Sequence, residues 1–211
     1  MCKSKGYKDF KLAFIDGTYT QLDSTTGRNQ GISVKKFKPF ERSPRVTSQD
    51  LQPDVQGLKF TSLNEQFRSP LLIESRSDDF DLWAWLSTEK QQWLDLLHNY
   101  GALAFRGFHV NSVSQMEQFS SYTLDDIFLG NAEHRPVMGS STVQVPVEFA
   151  SDIKLLWHNE NTFNQSWPQR AIFACGQPAL QGGETPLVDS RLVYSSMPAH
   201  IRDAFEKKGV M

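Results

Sequence analysis

Two side chains set the chemical question for this sequence: His158 and Glu160, two positions apart in the run LLWHNENTFN. In an extended segment, residues i and i+2 project to the same side. An imidazole and a carboxylate on one side can hold a single ion. Two histidines and one carboxylate on one face of an octahedron are the protein ligands of a class of non-haem Fe(II) sites, with three positions left open. His158-Asn159-Glu160 would supply the first half of such a set. A three-residue pattern recurs by chance in many proteins, so its surroundings decide its meaning.

The remaining candidates for chemistry are weaker. His98 falls on a predicted helix, His109 and His134 in polar loops, and His200 in the first turn of the last predicted helix. These read as ordinary surface or half-buried histidines. The two cysteines, Cys2 and Cys175, are too few for a thiolate zinc site, and one such pair is poor evidence for a disulfide. Cys175 lies in the apolar run AIFACG and is expected to be a small buried hydrophobe.

The text after His158 is more informative. Glu160 is followed by Trp167-Pro168, Ile172-Phe173 and Gln177-Pro178-Ala179. Then come Gly182-Gly183-Glu184-Thr185-Pro186 and Asp189-Ser190-Arg191. In order and spacing these pieces resemble the TauD/TfdA (taurine dioxygenase-like) family of Fe(II)- and 2-oxoglutarate-dependent oxygenases. The upstream run GALAFRGFHVNSVSQMEQF shares the likeness, which covers roughly residues 68–211. It is strongest to the branch with clavaminate synthase and hydroxylases of carrier-tethered amino acids, where Glu replaces Asp as ligand.

The resemblance implies roles for particular residues. His158 and Glu160 would bind Fe(II), and Thr185 would donate a hydrogen bond to a carboxylate of 2-oxoglutarate, as a threonine hydroxyl can. Gly182 and Gly183 would let the backbone turn tightly beside the co-substrate. O2 would be the oxidant. A carboxylate ligand fills the position that related halogenases leave to halide, so hydroxylation, desaturation or ring closure is expected. The implied substrate is a small amino-acid-like molecule, on a carrier protein in the branch named, in secondary metabolism. Two parts of the family pattern are absent from these 211 residues. They are the distal histidine ligand and the arginine that pairs with the far carboxylate of 2-oxoglutarate. The expectation is therefore a C-terminally incomplete oxygenase, inactive as this chain alone. The alternative is a non-catalytic remnant or, at most, a binding module.

The elements that must position these residues are legible in part. Residues 1–45 are polar and lack periodicity, so they are expected to form a flexible tail ahead of an oxygenase domain at 46–211. PLLIES, ending at Ser75, reads as a buried strand. Thr88 and Gln91 have capping-box spacing ahead of Trp93, Leu94, Leu96, Leu97 and Tyr100, with Gly101 as the C-terminal cap. ALAF at 102–105 is a predicted strand. Ser112 and Gln115 repeat the capping box before Val113, Met116 and Phe119, a helical stripe that reads as core. SSTVQVPVEFA at 140–150, broken by Pro146, reads as an edge strand or long loop that could line the substrate pocket. Strands are predicted at 170–176 and within 185–190, a turn at Gly182-Gly183, and a last helix from Pro198 to Gly209.

Helices first and short strands later suggest an α+β fold. The resemblance makes it the N-terminal part of a double-stranded β-helix (jelly roll) with flanking helices. Composition agrees with a globular chain: 39% hydrophobic, 22% charged and a net charge of -2. Residues 1–60 hold 11 Lys+Arg against 6 Asp+Glu, and the remainder 11 against 18. A basic arm of this kind either meets an acidic partner or stays a solvated tail. Nothing global points to nucleic acid. No apolar run approaches a membrane span or a signal peptide, so the cytoplasm is the expected compartment. Oligomeric state is not legible.

Overall fold

The computed structural model describes residues 11–16, 53–64, 68–127, 134–147, 156–159, 168–176, 180–181 and 185–209. The chain divides into two units. The first comprises residues 1–19 and 52–182, the second residues 20–51 and 183–211.

The first unit is built on a five-stranded sheet. Its strands are β1 (Lys11–Asp16), β2 (Leu58–Ser62), β3 (Leu71–Ser75), β4 (Ala102–Arg106) and β7 (Arg170–Cys175), in the order β2-β3-β4-β1-β7. β3 and β4 run parallel, with Leu71 opposite Leu103 and Ile73 opposite Phe105. A parallel pair needs a long crossover. Here it is α1 (Leu82–Thr88) followed by α2 (Lys90–Tyr100). The other pairings are antiparallel. After β4 come α3 (Val113–Thr123) and a two-stranded ribbon of β5 (Arg135–Pro136) and β6 (Gln144–Val145).

Local sequence explains the helix ends. The Asp81 carboxylate accepts from the Ala84 N–H at 2.9 Å and so caps α1. Gly101 closes α2 with φ of 74°, a left-handed conformation open to glycine at little cost. Ser112 caps α3 by accepting from the Gln115 N–H at 3.2 Å, and the Gln115 side chain accepts from the Asn111 N–H at 2.9 Å. The core lies where the helices meet β3 and β4. Leu71, Ile73, Leu103 and Phe105 pack with Trp85, Leu86, Trp93, Leu97 and Phe119, all buried. The Trp93 indole N–H donates to the Leu86 carbonyl at 3.0 Å, joining α2 to α1. Phe105 and Phe119 meet edge to face at 5.2 Å.

In the second unit the described residues form α4 (Ser190–Ser196) and α5 (Ala199–Lys208). The Tyr194 hydroxyl donates to the Glu206 carboxylate, and the Arg202 guanidinium lies over the Tyr194 ring. No helix among the described residues is long and apolar enough to cross a membrane.

Several expectations need correction. Residues 11–16 are not part of a flexible tail: they form β1, an inner strand of the sheet. Apolar alternation there is short and isolated in a polar stretch, so only its long-range partners identify it. Strands therefore precede and interleave with the helices. Thr88 and Gln91 do not form a capping box. Thr88 ends α1, where its hydroxyl donates to the Ala84 carbonyl at 3.0 Å, and Glu89 stands at the N-cap of α2 without a side-chain hydrogen bond. Residues 185–189 are irregular, not a strand, and the unpredicted α4 starts at Ser190. The turn expected at Gly182-Gly183 lies outside the described residues. Mixed helix and strand content agrees with the α+β expectation. The second, facing sheet of a double-stranded β-helix is not among the described residues.

Candidate metal and co-substrate site

His158 lies in the irregular segment 156–159 and is exposed, beside Trp157 at 67% exposure. Its Nδ1 stands 2.7 Å from the Leu156 carbonyl oxygen. A carbonyl can only accept, so in this contact Nδ1–H is the donor, and Nε2 is the nitrogen that would ligate. Metal-binding histidines are commonly oriented in this way: one ring nitrogen donates to the backbone and the other ligates. Glu160 lies outside the described residues. An imidazole nitrogen and a carboxylate oxygen remain a donor set suited to Fe(II) by chemistry.

Thr185 is described, exposed, and opens the stretch 185–189 that leads into α4. That stretch is anchored at its far end. The Asp189 carboxylate accepts from the Arg191 backbone N–H at 2.9 Å and caps α4. The Arg191 guanidinium grips the same carboxylate with two nitrogens, Nε at 2.9 Å from Oδ1 and an Nη at 2.8 Å from Oδ2. Burial by itself would raise the Asp189 carboxyl. The Arg191 guanidinium and the backbone N–H groups of Arg191 and Leu192 outweigh it and hold the group below the usual carboxylate range. In the sequence, Asp189 and Arg191 stand only as parts of the Asp189-Ser190-Arg191 motif. The signal for more was there: an aspartate directly before a helical run is an N-cap type.

The β5–β6 turn is tied to α3. The Glu117 carboxylate accepts from the Ser140 hydroxyl at 2.5 Å and the Thr142 hydroxyl at 3.2 Å. This fixes the first half of the segment expected to line a substrate pocket, while residues 148–150 lie outside the described ones. β7 follows. It forms as expected at 170–175, but Cys175 is half-buried where a buried residue was expected, and Phe173 is 40% exposed. Among the described residues β7 is an edge strand of the sheet, and an edge strand need not be covered on both faces.

One cleft, of about 260 Å³, opens at the carboxyl ends of β3 and β4 and is lined in part by Glu74, Arg76, Asp78, Arg106 and His109. Within it Arg106 pairs with Glu74 at 3.2 Å, and the His109 Nε2 lies 3.5 Å from the Asp78 carboxylate. His158 and Thr185 do not line it. The candidate ligand residues and this cleft are therefore different features.

Comparison with known proteins places these residues in context. Residues 60–209 match the family described as "Taurine catabolism dioxygenase TauD, TfdA family". The dapdiamide synthesis protein DdaC of Enterobacter agglomerans is 32% identical over 119 residues, 55% of this chain and 36% of that protein. A clavaminate synthase-like protein of Arabidopsis thaliana is 34% identical over 115 residues, 53% of this chain and 34% of that protein. The aligned segment thus spans about a third of the length of these curated relatives. No solved structure matches the chain.

Proposed function

This chain belongs to the TauD, TfdA family of dioxygenases, and on that basis we propose that it forms part of an Fe(II)- and 2-oxoglutarate-dependent oxygenase of a small amino-acid-like substrate. The observation that carries the reading is the His158 ring, held by a hydrogen bond from Nδ1 to the Leu156 carbonyl, so that Nε2 is the nitrogen that would ligate. His158 and Glu160 would hold the iron. Thr185 would donate its hydroxyl hydrogen to a carboxylate oxygen of 2-oxoglutarate. When bound, iron and 2-oxoglutarate supply the oxidation of a substrate C–H bond at the expense of O2, with succinate and CO2 as products.

The chain's own share is placement. The hydrogen bond at Nδ1 orients the His158 imidazole before any ligand arrives. Asp189, locked to Arg191, holds one end of the Thr185 segment at the start of α4. The Glu117 clamp on Ser140 and Thr142 steadies the ribbon ahead of the ligand segment. The names of the two relatives, one in dapdiamide synthesis and one clavaminate synthase-like, support an amino-acid-derived substrate, on a carrier protein or free. The double-stranded β-helix belongs to the same proposal for the whole protein.

The test is His158→Ala in a protein that carries the complete family ligand set. Fe(II)-dependent succinate formation should be abolished while the fold is kept, since the side chain is exposed and outside the core. Turnover that survives this substitution would remove His158 from the site and the proposal with it.

A further inference from the structure

β7 is the strand between the residues on which the proposed function rests. Arg170 follows Glu160 by 10 positions, and Thr185 follows Cys175 by 10. Among the described residues its strand partner is β1, aligned antiparallel from Lys11 opposite Cys175 to Asp16 opposite Arg170. On its other side β1 pairs with β4, from Leu12 opposite Phe105 to Ile15 opposite Ala102. β4 is continuous with the core through β3 and through buried Leu103 and Phe105. β1 is therefore the bridge between the core-bearing strands and β7. It lies ahead of the family-matched residues 60–209, in a stretch whose composition reads as tail.

We infer that Lys11–Asp16 is a positioning strand: it fastens β7 to the sheet and, through β7, steadies the ligand segment at His158. The inference rests on the proposed function, because that function gives β7 something to position. The physical ground is backbone satisfaction. An inner strand hydrogen-bonds to both neighbours, its N–H and C=O groups alternating between them. Without β1, β7 has no described ladder to join, whereas β2, β3 and β4 still pair with one another.

Ala13→Pro in the 211-residue chain tests this. Proline removes an N–H and does not fit an inner strand. Ala13→Val keeps the N–H and is the conservative control. Amide exchange is read at 170–175, with 71–75 as the internal reference, and Co(II) is titrated against the His158 ring resonances. With proline, exchange at 170–175 should quicken by about tenfold or more while 71–75 changes little. Co(II) should bind His158 about tenfold more weakly, as when a support of a metal ligand is lost. Valine should leave both as in the parent chain. Unchanged protection at 170–175 overturns the inference. So does equal deprotection of 71–75, which would make β1 a prop of the whole unit. A His158 ring in the parent chain that ignores Co(II) overturns the metal assignment instead, and the exchange rates still decide whether β1 holds β7.

Discussion

Trp93 and Trp157 are the same residue in opposite settings. Trp93, on α2, is fully buried and donates its indole N–H to the Leu86 carbonyl of α1. Trp157 is 67% exposed beside the candidate ligand His158. The contrast extends to the regions around them. Among the described residues, every buried apolar side chain falls between Leu58 and Phe119. From 134 onward the described residues are half-buried or exposed, and they include His158 and Thr185. One region holds itself together by burial. The other holds its shape by specific polar contacts: Glu117 with Ser140 and Thr142, Asp189 with Arg191. The core and the candidate site residues lie on different stretches of the chain, so substitutions in them should fail in different ways.

The largest effect should come from Trp93→Ala, which removes a buried ring and its hydrogen bond. We expect a loss of about 3–5 kcal/mol in urea unfolding. A loss below about 1 kcal/mol would mean that the apparent core does not carry the fold.

Asp189→Ala should cost about 1 kcal/mol of local α4 stability, the usual value of an N-cap. It has a pH signature. The Asp189 carboxyl is held below its ordinary value in the fold, so its contribution is complete above the unfolded value, about 3.9. It is lost as pH falls from there through the depressed folded value. Amide shifts of residues 190–196 followed down in pH should show α4 loosening in the parent chain and no such step at this site in the variant. The same step in both would take Asp189 out of the account.

Trp157→Ala should change the urea midpoint least, by less than about 0.5 kcal/mol, as expected for an exposed side chain. A cost approaching that of Trp93→Ala would erase the distinction between the two regions.

How much of this could be read in advance differs by element. β3, α2 from Trp93 to Gly101, β4, α3 with its Ser112 cap, β7 and α5 were legible, because each has an apolar period or a terminator within a few residues. α1 and α4 were missed, although Asp81 and Asp189 are capping residues. Both helices have only 7 residues, too few for a periodic stripe to stand out. The start of α2 was misplaced because Thr88 satisfies its hydroxyl inside α1 instead of capping forward.

From the sequence alone came the residue types and spacing of the candidate site, His158, Glu160 and Thr185, within a run of motifs that resembles the family. Such local patterns survive in one dimension because ligand chemistry depends on residue identity and short separations. Tertiary structure decided three things that pattern could not. It set the His158 Nδ1 within hydrogen-bonding distance of the Leu156 carbonyl. It joined Asp189 to Arg191 across the first turn of α4. It also placed Lys11–Asp16 between β4 and β7, a pairing whose partners lie about 90 and 160 residues away in the chain. Strand pairing over such distances is set by which backbone edges remain open once the rest of the sheet has formed, and no local period records that.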